Sequence, residues 1–269
     1  MGAARLKVNY EYESKSHSGS RVSFSREKYS GKEVLKVEFP SLVAASIATE
    51  TRGNKTYFYA ELPAFAAKKV VRSAPKKMGI VWDASGSGAA RDHGREFALL
   101  DAYFKGLNNV EVELALARDR AEAVQSFNIR SADWHHLRKV LENVPYDGAT
   151  NSAALSPPST TDLNLLFSDG LSNFDSGGFV AGTRPLFSVN ASSSTDLPRL
   201  RAWAERSGGR LLDLLSISAI QAVDALTHQS PYLAGMTSNG ARELISGSSY
   251  GESGTIEVAG ILTEPETTI

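Results

Sequence analysis

Between residues 78 and 229 the hydrophobic pattern switches repeatedly between two periods, and this alternation constrains the fold more than any other feature of the chain. Apolar runs of strand length alternate with stretches whose apolar residues recur every three or four positions. Such an order reads as an α/β fold with a mainly parallel central sheet flanked by helices. Met78 to Trp82 is a first apolar strand, followed by a helix with Phe97, Leu100, Phe104 and Leu107 on one face. Val110 to Ala117 is the next strand, and Ala121 to Ile129 reads as an edge strand. Ser131 is placed to cap a helix carrying Trp134, Leu137, Val140 and Leu141. Leu163 to Phe167 and Pro185 to Val189 read as buried strands. Asp196 opens a helix with Leu200 and Trp203 inward, stopped by Gly208-Gly209. Arg210 to Leu215 is the last strand, and Ile217, Ile220, Val223 and Leu226 mark a closing helix.

The flanks have a different character. Leu6, Val8, Tyr10 and Tyr12 alternate with polar residues as in a half-buried strand, and Val22 and Phe24 continue the pattern weakly. Val34 to Phe39 and Thr56 to Leu62 are further strand-like runs, with Gly31 and Arg52-Gly53-Asn54 as turns. Thr255 to Leu262 is the clearest strand of the C-terminal flank, and Thr263 to Ile269 reads as a linker. A strand region of about 40 residues rarely stands alone without staples. Residues 1–74 and 230–269 are therefore expected to pair into one β-sandwich-like domain, with the α/β domain of residues 75–229 inserted between them.

Composition narrows the chemistry. The chain has no cysteine, which excludes disulfides, thiolate zinc sites and a thiol nucleophile. A formal net charge of -1 gives no global field for nucleic acid or an anionic membrane surface. No apolar run reaches the ~18 residues of a membrane span, and Met1 to Leu6 lacks the charged-then-apolar pattern of a signal peptide.

One loop carries the chemistry. Asp83-Ala84-Ser85-Gly86-Ser87 directly follows the first α/β strand and precedes a helix. Ligands of open α/β sheets sit outside the carboxyl ends of the strands, where the strand order reverses. A D-x-S-x-S loop there presents one carboxylate and two hydroxyls, hard oxygen donors suited to Mg²⁺ or Mn²⁺ rather than zinc. Asp169 ends the strand Leu163–Phe167 in Phe-Ser-Asp-Gly, and Thr150 lies in Asp-Gly-Ala-Thr-Asn on a loop before that strand. If Asp83 and Asp169 end adjacent parallel strands, their carboxylates converge, and Thr150 adds a third hydroxyl.

On these three separated elements, in this order and strand context, the chain resembles the von Willebrand factor type A (integrin I-like) family over about 150 residues. The resemblance implies a Rossmann-like domain with a metal-ion-dependent adhesion site for Mg²⁺ (or Mn²⁺/Ca²⁺). Ser85 and Ser87 would bind the ion directly, Thr150 directly or through water, and Asp83 and Asp169 mostly through water. The partner implied is a protein offering an Asp or Glu carboxylate to the remaining coordination position. The start Trp82-Asp83 and the stretch Arg91-Asp92-His93 are also similar to bacterial proteins that carry this domain beside a VIT-type β module, although residues 1–74 do not match such a module clearly. Family analogy places such domains in a cell-envelope, periplasmic or secreted setting. The charge balance agrees with the implied chemistry: two carboxylates offset a dication, and neutral hydroxyls leave it electrophilic towards one more anionic oxygen.

Arg91, Asp92 and His93, together with Phe174 and Asp175 in the Gly-rich stretch to Phe179, are candidates for a partner-binding rim, against a plain solvated helix start and an ordinary packed loop. Asp147 and Asn151 flank Thr150 and read either as groups that orient ligands or as turn and cap residues. His135 and His136 read as surface residues, and Trp82, Trp134 and Trp203 as core. Enzymatic readings lack their motifs, with no G-x-S-x-G elbow and no nucleotide P-loop, so no catalytic residue is assigned. The alternative to metal-bridged adhesion is a scaffold or regulatory module in which the ion only stabilises loops.

Overall fold

The computed structural model describes residues 5–8, 10–13, 35–38, 45–63, 70–174, 178–229, 232–233, 235–250, 255–265 and 267–268. The chain divides into two compact units, one formed by Met1–Val70 with Gln229–Ile269 and the other by Val71–His228.

Among the described residues, the first unit carries two antiparallel sheets. β1 (Arg5–Val8), β2 (Tyr10–Glu13) and β3 (Leu35–Glu38) form one, in the order β2-β1-β3. The alternation from Leu6 to Tyr12 is thus not one strand but two, paired Leu6↔Tyr12 and Val8↔Tyr10. A period of two survives this reversal because the residues in register are cross-strand partners. Val22 and Phe24 lie outside the described residues. The second sheet combines β4 (Ser46–Arg52) and β5 (Lys55–Pro63) with β14 (Ala241–Ser246) and β15 (Thr255–Leu262), in the order β14-β15-β5-β4. β4 turns into β5 through Gly53-Asn54, with Gly53 at φ 61, a value few other residues tolerate. Phe58 and Ala60 of β5 and Val258 of β15 make its small core. The C-terminal stretch is not a free linker: Thr268 exchanges backbone hydrogen bonds with Asn239, and Thr263 donates to Gly240 O. Short strands β6 (Val70–Val71) and β13 (His228–Gln229) stand where the chain passes from one unit to the other.

The second unit is an open α/β sheet of β7 (Lys77–Asp83), β8 (Val110–Ala117), β9 (Gln125–Ile129), β10 (Leu163–Phe167), β11 (Leu186–Asn190) and β12 (Leu211–Asp213). The order is β12-β11-β10-β7-β8-β9, parallel except for the antiparallel edge strand β9. Helices α1 (His93–Leu107), α2 (His135–Glu142), α3 (Leu197–Glu205) and α4 (Ala219–Thr227) cover it. Both faces are packed, so the strands read as continuous apolar runs. Met78, Ile80 and Trp82 of β7 join Leu165 and Phe167 of β10 in a large cluster that includes residues of α1, α2 and α4. Val81 and Leu166 face the other way, into a smaller cluster with Leu200 and Trp203 of α3. Gly209 is fixed by close approach: a Cβ there would stand 1.8 Å from Leu186 O.

Two helix details differ from the sequence expectation. Ser131 does not cap α2; it sits at φ 52 in a tight turn beside Ala132, and Asp133 Oδ1 accepts the His135 N–H instead, at 3.1 Å. In α4 the inward residues are Ala222 and Leu226, while Ile220 is 79% exposed. Asp196 does cap α3, accepting from Arg199 N at 3.0 Å. Asp196→Ala should therefore lower stability by about 1 kcal/mol, which chemical denaturation of the two proteins would read directly.

Candidate metal centre

The strand order fixes where a ligand can sit. Chain order runs outward from β7 through β8 to β9 on one side, then returns to β10 and runs outward through β11 to β12 on the other. The reversal lies between β7 and β10, which pair in parallel with Phe167 opposite Trp82. Asp83 ends β7, and Asp169 stands two residues beyond β10, so both carboxylates come off the strands that flank the crevice.

The Asp83 loop is held by its own hydrogen bonds. Asp83 is fully buried, and its Oδ1 accepts the Ser85 N–H at 3.1 Å. A short 3-10 turn, Gly86–Ala90, follows and brings Ser87 Oγ to 3.3 Å from Ser85 Oγ. Ser85 is buried and Ser87 exposed, so the pair runs from the interior to solvent. The Ser87 hydroxyl also favours the charged form of the Asp169 carboxylate. Asp83, Ser85 and Ser87 are therefore linked by hydrogen bonds, and Asp169 stands on the neighbouring strand end.

Thr150 joins through its backbone. Its N–H donates to Asn173 Oδ1 at 2.9 Å, and its carbonyl accepts from Ser172 Oγ at 3.0 Å and Phe174 N at 3.2 Å. Its loop also meets the Asp83 loop, since Gly86 N donates to Gly148 O and Asp147 N to Ala84 O, each at 3.2 Å. Thr150 is 4% exposed. No hydrogen bond links its side chain to the other four residues.

Ser168 was not singled out in the sequence, yet its Oγ donates to Asp83 Oδ2 at 2.6 Å and accepts the Gly170 N–H at 3.0 Å. It thereby links the ends of β7 and β10. Its only sequence signal is its place beside Asp169.

The donor set fits a hard dication. Among the described residues no group of three or more His, Asp or Glu side chains is placed to hold a metal ion, so an ion here would take the rest of its protein ligands from hydroxyls. Burial pushes the Asp169 carboxyl above the usual carboxylate range, and the charge of Asp83 adds to the rise. Hydrogen bonds from Ser87 and from the Leu171 N–H, and the charge of Arg91, oppose it. Above its raised pKa, the charged Asp169 costs the metal-free fold stability, and acidification through that pKa towards ~3.9 removes the cost. Asp169→Asn mimics the protonated state while keeping an oxygen for Leu171. It should leave the metal-free protein as stable as the wild type or more so, and any response to Mg²⁺ that rests on this carboxylate should be lost with it. At about 100 times Kd the wild type should gain about 2.7 kcal/mol and the variant nothing, a difference thermal denaturation with and without Mg²⁺ measures.

The rim candidates separate. Arg91 cannot touch a partner, because its side chain is wholly buried and paired with Glu96. His93 is largely buried, with Nδ1 2.7 Å from Glu96 Oε2 and its ring stacked on Tyr146 and Trp82. Asp92 is exposed but caps α1, accepting from Arg95 N. Phe174 is 53% exposed, as a rim residue would be; Asp175 lies outside the described residues. Asp147 pairs with Arg118 at 2.7 Å, and Asn151 accepts from Ala153 N while donating to Asp119 O. His135 and His136 are exposed on α2, and the three tryptophans are buried. Among the described residues no helix is long and apolar enough to cross a membrane.

No protein-family model matches the chain, and comparison with curated proteins finds no match. Among solved structures, a von Willebrand factor type A protein from Catenulispora acidiphila aligns over 83% of this chain with 14% identity and a TM-score of 0.41. The alignment covers 65% of that protein, a little under two thirds of its length. BatB from Bacteroides thetaiotaomicron aligns over 56% of this chain and 96% of its own, at 11% identity and a TM-score of 0.38. The PilB minor pilin of Streptococcus sanguinis aligns over 74% of this chain and 82% of its own, at 11% identity and a TM-score of 0.40.

Proposed function

We propose that the α/β unit is a protein-binding module of the von Willebrand A type that holds Mg²⁺ (or Mn²⁺) at Asp83, Ser85, Ser87, Thr150 and Asp169 and takes a carboxylate from its partner. The observation that carries this reading is that Asp83 and Asp169 come off the two strands that flank the reversal of strand order, with Ser85 and Ser87 hydrogen-bonded into the Asp83 loop. When bound, the ion supplies an electrophilic centre that prefers anionic oxygen. The chain's own residues do the rest. Ser168 and the Ser85 N–H orient the Asp83 carboxylate, and the exposed Ser87 leaves the site open to solvent.

The surroundings suit a protein partner. Leu171, Phe174 and Val180, all on the stretch after Asp169, expose 38%, 53% and 64% of their surface. Phe174 also lines an open groove of about 770 Å³, together with Arg118, Asp119, Arg120, Glu122, Pro145 and Asp147. Exposed apolar side chains around a polar centre are the composition of a binding surface.

Calorimetric titration of Mg²⁺ and Mn²⁺ into the protein tests the metal, and saturable binding near one ion per chain is the expected result. Partner capture in Mg²⁺ and after chelation tests the bridge. Capture that survives chelation would place the contact elsewhere and leave the ion a structural role.

A further inference from the structure

Behind the metal loops lies a buried ionic cluster that the proposed binding event does not itself use. Arg91 and Glu96 both have side chains with no exposed surface, and Arg91 Nε donates to Glu96 Oε1 at 2.7 Å. The same guanidinium donates through Nη1 to the carbonyl oxygen of Asp83 at 2.6 Å. It also lies over two rings, 5.1 Å from the centre of Trp82 and 6.0 Å from that of Tyr146. Trp82 precedes Asp83, and Tyr146 opens the loop to Thr150. The indole of Trp82 donates to Tyr146 Oη at 2.9 Å, which locks the two rings together.

The turn that carries Ser87 is wrapped on this cluster. Arg91 N donates to Gly88 O. A Cβ on Gly88 would stand 2.7 Å from Asp83 O, 2.9 Å from Arg91 Nη1 and 3.0 Å from Tyr146 Cδ1. Only a residue without a side chain lets the loop close this tightly around the guanidinium. Burial works against the charge of Arg91, and the charges of Glu96 and Asp83 outweigh it, so its pKa rises and the group stays cationic. That charge also acts on Asp169, where it favours the carboxylate.

We infer that Arg91 is a positioning residue of the metal site: its guanidinium clamps the Asp83 loop to the Tyr146–Thr150 loop, with Glu96 of α1 holding it in place, so that the oxygen ligands stand preformed without an ion. An Arg suits this task because one planar group can donate in two directions and stack on rings as well. The inference rests on the metal-binding reading. Its rival is an ion pair that merely fills the core.

Replacing a buried ion pair by apolar residues of similar volume is often neutral for stability, so Arg91→Met combined with Glu96→Met separates the two. Mg²⁺ affinity by calorimetry should fall about tenfold or more, the range seen when groups that orient ligands are removed. Hydrogen exchange in the metal-free variant should speed up at the amides of residues 85–90 and stay unchanged in α3. Wild-type affinity together with unchanged exchange would overturn the inference. Should the double variant not fold, Arg91→Lys decides by the same two readouts, since it keeps the charge and loses the fork. A wild type that takes up no ion removes the metal reading and this inference with it, whereas a wild type and a double variant that bind equally well and exchange alike remove the inference alone.

Discussion

Asp83→Ala should abolish saturable Mg²⁺ binding, with a loss on the order of a hundredfold or more, and should lower the stability of the metal-free protein by about 2 kcal/mol. Asp83 is wholly buried, and both its oxygens are occupied, Oδ1 by the Ser85 N–H and Oδ2 by the Ser168 hydroxyl. Truncation leaves both donors without their acceptor, and each buried unsatisfied group costs about 1–3 kcal/mol. Loss of the repulsion between the Asp83 and Asp169 charges offsets part of this. Asp83→Asn separates the effects. Its amide keeps an oxygen for Ser85, and the Ser168 hydroxyl can turn to accept, so the fold should keep wild-type stability while metal binding is lost. Denaturation and calorimetry on the three proteins give both quantities. An asparagine variant that binds Mg²⁺ as tightly as the wild type would remove Asp83 from the site.

What could be read from the sequence follows burial. β7 and β10 were legible because a strand packed on both faces is a run of apolar residues, and Asp83 and Asp169 stood out as the first acids beyond those runs. β4 was not, because all seven of its residues are exposed and no apolar face marks it. β14 was hidden by a register shift between Arg242 and Ile245, with Glu243 at φ 54, which breaks the alternation that identifies a strand.

The site divides in the same way. Ser85 and Ser87 lie within one short loop, and local spacing reveals them. Arg91 follows the Asp83–Ser87 loop and reads as surface, because charged residues usually are surface. Its burial depends on Glu96 from α1, Trp82 from β7 and Tyr146 from the loop to Thr150. No local pattern records that coincidence; it appears only when the three segments pack. Ser168 is a similar case, since its partner Asp83 lies 85 positions away in the chain.

Trp82→Ala should have the largest effect on stability of any substitution beside the site, about 3–5 kcal/mol, against a typical total of 5–15 kcal/mol for a domain. Trp82 has no exposed surface. Its ring lies 4.9 Å from Phe167 and 6.1 Å from Phe97, the latter nearly parallel at 9°. Truncation would open a cavity between β7, β10 and α1, free the Tyr146 hydroxyl of its indole donor, and take one ring from the Arg91 guanidinium. At roughly 2–4 °C per kcal/mol for a domain of this size, the melting temperature should drop by about 10 °C. Trp82→Phe retains an aromatic ring there and loses the N–H, so it should cost much less, near 1 kcal/mol. If Trp82→Ala melts within a degree or two of the wild type, the packing described for β7 is wrong. A large drop with the alanine and a small one with the phenylalanine would locate the stability in ring burial. Because Trp82 and Asp83 are neighbours on one strand, facing the core and the crevice respectively, that same burial holds the Asp83 carboxylate in place.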